Sequence, residues 1–163
     1  VTAPVRRISR SPRETERFGE RLGRALRPGD FVGLSGGLGV GKTVFVRGVA
    51  RGAGVPREAL VSSPTFAIVN AYRGGRVPIL HVDLYRVTDA EELYDAGFYD
   101  LIGGEGAVLV EWVDRVPAVA PADWLELRLE RRDKERRIDI VGHGERGRAL
   151  GKAITTVRAK RKK

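Results

Sequence analysis

Gly36-Gly37-Leu38-Gly39-Val40-Gly41-Lys42-Thr43 is the stretch on which the fold turns. It fits G-x-x-x-x-G-K-[ST]. In this pattern glycines let backbone N–H groups converge on phosphate oxygens, a lysine brings positive charge to the β and γ phosphates, and a hydroxyl offers a hard oxygen to Mg2+. Leu38, Gly39, Val40, Gly41, Lys42 and Thr43 are therefore the expected nucleotide-binding residues, Thr43 also the first expected Mg2+ ligand, and Lys42 an expected catalytic charge. The flanks agree. Phe31–Ser35 reads as a strand entering the loop, and a helix from about Lys42 to Arg51 leaves it with Val44, Phe45, Val46, Val49 and Ala50 on its apolar side. That helix points its N-terminal dipole at the same anion.

Upstream, Val5–Ser9 reads as a short edge strand. Ser11-Pro12-Arg13-Glu14 opens a helix, with Ser11 as N-cap, Pro12 at the first turn and Glu14 completing a capping box. Phe18, Leu22, Ala25 and Leu26 carry the helical spacing to Arg27, and Pro28-Gly29-Asp30 stops it. Downstream, Gly52 to Ser63 is loop-like. Phe66–Tyr72 and Val77–Tyr85 read as two strands around Gly74-Gly75, and Asp89 opens a short helix ending near Gly97. Ala107-Val108-Leu109-Val110 is a continuous apolar run, the mark of a strand buried on both faces. Trp124–Arg131 and Arg136–Val141 alternate apolar and polar residues around Asp133-Lys134-Glu135, a hairpin. The order predicts a three-layer α/β fold of the P-loop NTPase type, its mostly parallel central sheet extended by antiparallel strands.

A phosphate loop needs a second carboxylate for Mg2+ at the end of an apolar strand. Two candidates stand: Asp83, ending Pro78–Asp83, and Glu111, ending Val108–Glu111. The second strand is the more apolar, so Glu111 is the expected metal ligand. Asp83 becomes a second catalytic acid near the γ-phosphate, positioning water or metal. His81 lies two residues before Asp83 on the same strand face. Thr65, in Ser62-Ser63-Pro64-Thr65-Phe66, has two readings: a sensor of the γ-phosphate, or part of an ordinary proline turn. Tyr85 and Arg86 follow at a strand end, where active-site groups of open α/β sheets collect. Arg86 either pairs with a carboxylate or faces a partner.

Composition narrows the class. The 163 residues suit one domain, and 42% hydrophobic with 31% charged residues permits a sizeable core. The absence of cysteine excludes a disulfide scaffold, a Cys-ligated zinc and a thiol nucleophile, and a count of two histidines, His81 and His143, argues against a multi-histidine metal site. No apolar run reaches the ~20 residues of a membrane span, and the Arg-rich start is not a signal peptide, so the expected compartment is the cytoplasm, with no membrane partner. The net charge is +9, and residues 143–163 carry eight basic residues against Glu145 alone. The expected division is thus a P-loop domain at 1–142 and a basic C-terminal tail at 143–163, compatible in part with a helix from Gly144 to about Val157. Such a tail either attracts a polyanion or only solubilises.

The loop Gly36–Thr43, Ser63-Pro64-Thr65-Phe66, His81-Val82-Asp83-Leu84-Tyr85-Arg86 and Val110-Glu111-Trp112, in this order and spacing, resemble the bacterial TsaE (formerly YjeE) family of small P-loop ATPases. The similarity runs from about Ser11 to about Val141. It implies a Mg2+-dependent ATPase that supports threonylcarbamoyladenosine formation next to the anticodon of tRNA. Such a protein is an accessory to the TsaD and TsaB subunits that carry the transferase chemistry, and it meets tRNA through that complex. The resemblance also implies that Trp112 completes the active face with Asp83, that Thr65 belongs to a switch-like loop, and that the regions around Pro12 and Glu135 enclose the nucleotide base. Gly37 stands where the family usually has an acidic or amide residue, and Val44 where it often has Thr or Ser. A small P-loop metabolite kinase is the alternative. Its Arg-bearing lid would have to lie in Arg86–Gly106, which has acidic residues and only one Arg.

Overall fold

The structure, a computed structural model, describes residues 3–64 and 67–156. The elements in chain order are β1 (Val5–Ser9), α1 (Pro12–Ala25), β2 (Phe31–Ser35), α2 (Lys42–Gly52), β3 (Val69–Tyr72), β4 (Ile79–Asp83), α3 (Ala90–Asp95), α4 (Phe98–Leu101), β5 (Ala107–Glu111), β6 (Trp124–Arg132), β7 (Glu135–His143) and α5 (Gly144–Thr155). The strands form one sheet in the order β1-β7-β6-β2-β5-β4-β3. Its centre, β6-β2-β5-β4, is parallel, and β7, β1 and β3 add antiparallel edges. The expected α/β class and antiparallel extension are what the chain adopts.

Local chemistry sets the element ends. The Ser11 side chain accepts the Glu14 amide at 3.1 Å, and Glu14 returns a carboxylate oxygen to the Arg10 amide at 2.6 Å, one residue before the expected amide. Helix α1 stops at Ala25, two residues earlier than its spacing suggests. Leu26 is already extended, Arg27 precedes a proline, and the Asp30 carboxylate takes the Arg27 amide at 2.7 Å. Strand β3 begins at Val69 because Ile68 is left-handed (φ 62°), and the expected start at Phe66 lies outside the described residues. Strand β4 ends where the Asp83 carboxylate accepts the Tyr85 amide at 2.8 Å, a side-chain turn that halts extension. Helix α4 and two 3₁₀ turns at 113–115 and 117–119 have no counterpart in the sequence reading, each being too short to show a period.

Alternation along the strands makes two cores. Val32, Leu34, Leu109, Leu125 and Leu127 face α1, α2 and α5, while Phe31, Val108 and Val110 face α3, α4 and the 3₁₀ turns. Helices α1 and α2 meet backbone to backbone. A Cβ at Gly19 would lie 2.2 Å from the Phe45 carbonyl oxygen, and at Gly23 2.1 Å from that of Val49. At Gly48 and Gly52 it would lie 2.1 Å from the carbonyls of Glu16 and Glu20. No larger residue fits at these four crossings.

The helical part of the basic segment is a layer of the domain. Leu150 and Ile154 are fully buried against the sheet. Arg146 pairs with the Asp30 carboxylate at 2.6 and 2.8 Å, and the Asp123 carboxylate accepts the amides of Arg146 and Gly147 at 3.2 and 2.8 Å. The expected boundary at residue 142 falls inside β7, and residues 143–155 belong to the body rather than to a tail. Val157 lies outside the described residues. Among the described residues no helix is long and apolar enough to cross a membrane.

Two outcomes test this packing. Leu150→Ala should lower unfolding stability by about 2–5 kcal/mol in urea titrations; an unchanged midpoint would mean that α5 is not docked. On the edge, Asp139 of β7 is held by Arg6 of β1 at 2.8 Å and by Arg137 at 2.9 Å. These guanidiniums, Arg6 foremost, lower its carboxyl from 3.8 to about 2. A carboxyl depressed in the folded chain contributes stability that is complete above the unfolded value and lost as pH falls through the folded one. Asp139→Asn should therefore reduce the urea midpoint at pH 7, and its difference from the parent should narrow from pH 4 toward pH 2. A gap independent of pH would refute the ionic account.

Candidate functional site

The glycine-rich loop leaves β2 through Gly36 and enters α2 through Gly41. Gly36 has φ 137°, and a Cβ there would sit 2.3 Å from the Leu129 carbonyl oxygen of β6; Gly41, the N-cap, has φ 111°. Both conformations disfavour any side chain. At Gly37 a Cβ would meet nothing within 4 Å, so space does not require glycine there. The Lys42 ammonium donates to the carbonyls of Gly36 and Gly37 at 2.6 and 2.8 Å and lies 3.9 Å from the centre of the Trp112 ring. Burial pushes Lys42 below its ordinary value, and the nearby Glu111, Asp83 and Asp114 charges push back.

The two strand-end carboxylates sit side by side, because Asp83 of β4 and Glu111 of β5 are partners in the parallel register. Both are nearly buried. The Thr43 hydroxyl donates to Glu111 Oε1 at 2.8 Å, and His81 Nε2 reaches the same oxygen at 2.8 Å. Asp83 accepts the Ser63 hydroxyl and the Tyr85 amide. Immediately after Glu111, Trp112 adopts a left-handed backbone (φ 59°), a conformation that costs about 1–2 kcal/mol for a non-glycine residue. That turn brings the indole over Lys42. Tyr85 packs against Trp112 with ring centres 5.0 Å apart, and Arg115 lies 5.5 Å from the Tyr85 ring centre.

Leu38, Gly39, Gly41, Lys42, Thr43, Asp83, Tyr85, Glu111 and Trp112 line one cavity of about 310 Å³, together with Val44 and Ser63. Motifs more than 60 residues apart in the chain thus converge, and nine expected positions share the space. Val40 lines the neighbouring cavity instead: its side chain is buried, and its carbonyl accepts Arg136 Nε at 2.9 Å. A second cavity of about 450 Å³ adjoins the loop, between Ser11, Pro12 and Thr15 on one side and Arg131, Lys134 and Arg136 on the other. Pro12 is among its lining residues. Glu135 does not line it but pairs with Arg10, which does, at 3.0 Å. Gly39, Gly41 and Val44 line both cavities. Arg86 is exposed and lines neither, and Thr65 lies outside the described residues.

Ser63 and Arg136 were not singled out by the sequence reading. Ser63 touches Asp83 only through a loop closure of 20 residues, and Arg136 is one of many arginines in an alternating strand. The Ser63-Pro64 pair was the available signal for the first; for the second there was none.

Comparison with known proteins follows this geometry. Residues 9–138 match the family model described as "Threonylcarbamoyl adenosine biosynthesis protein TsaE". The chain is similar to the tRNA threonylcarbamoyladenosine biosynthesis protein TsaE of Bacillus subtilis, 37% identical over 137 residues that span 83% of this chain and 84% of the relative. It is similar also to that of Treponema pallidum, 39% identical over 117 residues, 72% of this chain and 84% of the relative. In structure it resembles Bacillus subtilis YdiB, with a TM-score of 0.78 at 29% identity over 95% of this chain and 96% of that one. With its loop, its two strand-end acids and the match across residues 9–138 in agreement, the chain belongs to the TsaE family.

Proposed function

We propose that the chain is a Mg2+-dependent ATPase in tRNA threonylcarbamoyladenosine biosynthesis, acting in the cytoplasm as an accessory to TsaD and TsaB rather than modifying tRNA itself. The family supports the pathway. The observation that carries the ATPase reading is the Thr43–Glu111 contact of 2.8 Å, placed beneath a glycine loop and beside Lys42 and Asp83 in one cavity.

The residues fit Mg2+. Thr43 and Glu111 offer hard oxygens, and among the described residues no group of three or more His, Cys, Asp or Glu could hold a metal unaided. That is the donor set of an ion that keeps waters and borrows phosphate oxygens. When bound, the ion would neutralise charge on the β and γ phosphates. The loop amides and the α2 N-terminus hold the phosphates. Lys42, freed from the Gly36 and Gly37 carbonyls by a stronger anionic acceptor, supplies a point charge in a partly dry site. Asp83, fixed through both its oxygens, orients the attacking water. Trp112 and Tyr85 cover the phosphate end, and the cavity beside Pro12 takes the base.

Phosphate release from ATP, measured with and without the TsaD–TsaB pair, tests the reading; phosphorylation of a small hydroxyl acceptor instead would favour a kinase. Lys42→Ala should abolish most ATP binding and turnover, and unchanged hydrolysis in a clean preparation would end the loop assignment. Glu111→Ala should cut turnover about a hundredfold or more while nucleotide binding without Mg2+ falls less than threefold. If Glu111→Ala is fully active and Asp83→Ala inert, the roles of the two carboxylates are exchanged.

A further inference from the structure

His81 is fully buried in β4, yet both ring nitrogens have polar partners. The sheet register explains how. Asn70 of β3 pairs with His81 and Tyr72 with Ile79, so Tyr72 and His81 are diagonal neighbours on one face. On the other side His81 pairs with Leu109 of β5, so Glu111 is its diagonal neighbour on that same face. This face is the one covered by α2, which brings Thr43. A polar row therefore crosses three strands inside an apolar layer. The Tyr72 hydroxyl lies 3.0 Å from His81 Nδ1, and His81 Nε2 lies 2.8 Å from Glu111 Oε1. A carboxylate oxygen only accepts, so the ring presents Nε2–H to it.

The row ends on the loop between α2 and β3. The Tyr72 hydroxyl lies 2.9 Å from the Ser62 carbonyl, which shares the hydroxyl's one proton with His81 Nδ1, and it accepts the Ser62 amide at 3.3 Å, while the adjacent Ser63 holds Asp83. One dipeptide thus touches both strand-end acids, Glu111 through two side chains and Asp83 directly. A glutamate's terminal torsion is broad when nothing fixes it. Here Oε1 is fixed from two elements, by Thr43 and by His81.

We propose that His81 is a positioning residue for Glu111 and that Tyr72 steadies its ring, so that the Ser62–Ser63 segment and the metal-side carboxylate form one hydrogen-bonded unit. The inference rests on the reading of Glu111 as a Mg2+ ligand. A histidine that serves only to fill the core would support stability and leave Mg2+ alone. One that orients the carboxylate sets how much Mg2+ strengthens nucleotide binding, since outer partners of ligands commonly alter metal affinity about tenfold or more.

The test is calorimetric titration with the imido analogue of ATP, in EDTA and in MgCl2, on the parent chain and on Tyr72→Phe, His81→Leu and His81→Gln, with melting temperatures alongside. Affinity in EDTA should stay within about twofold of the parent in all three variants, as the loop is untouched. The gain on adding Mg2+ should fall about tenfold in His81→Leu and less in Tyr72→Phe. It should recover in part in His81→Gln, whose amide can donate to Glu111. Equal Mg2+ gains in every folded variant, whatever their melting temperatures, overturn the proposal. If His81→Leu fails to fold, Tyr72→Phe, which loses a single hydroxyl, decides it alone. A parent chain with no Mg2+ gain overturns the Mg2+ reading itself, a failure distinct from variants that match a responsive parent.

Discussion

One carboxylate oxygen, Glu111 Oε1, is where the central strands and the phosphate-loop helix are tied together. It accepts from Thr43 at the start of α2 and from His81 within β4, and its own residue ends β5. His81 and Glu111 are out of water and would be costly there without partners, while Thr43 is half-buried at the cavity. Placed together they satisfy one another, and among the described residues no buried side-chain nitrogen or oxygen is left without a hydrogen bond. Immediately past Glu111 the chain takes a left-handed turn, which lays Trp112 over Lys42.

The parts legible in the sequence are those whose chemistry is local. The loop of Gly36–Thr43, the cap at Ser11, the apolar run before Glu111 and the hairpin turn at Asp133 each declare themselves within a few residues. Even the preference for Glu111 over Asp83 as the residue beside Thr43 followed from which strand was the more apolar, because a strand buried on both faces lies at the centre of the sheet, next to the loop. What stayed hidden is pairwise and distant. Glu135 turns to Arg10 rather than to the cavity, and Arg136, its neighbour on the opposite face, reaches the Val40 carbonyl.

The C-terminal segment shows a different failure. Its basic residues dominate a count of charge, yet Leu150 and Ile154, four apart on one helical face, already mark a side able to pack on the sheet, and the structure buries both. Charge also has an inward use there: Arg146 neutralises Asp30 at the mouth of β2 and caps the end of α1 through the Ala25 carbonyl at 2.8 Å. Read along the chain this is a basic run; folded, one of its arginines fastens three elements.

The glycine crossings of α1 and α2 carry a mechanical consequence. Helices separated by side chains slide and tilt as rotamers change, but helices whose backbones touch have nothing between them to compress. The N-terminus of α1 forms a wall of the larger cavity, and the N-terminus of α2 follows the phosphate loop. The gap between that wall and the glycine-rich loop is therefore held by main-chain contact, with Glu16 pairing to Arg47 and Arg51 beside it. It works as a fixed caliper, so a ligand spanning both cavities is measured along its length by backbone and cannot be accommodated by spreading the two helices.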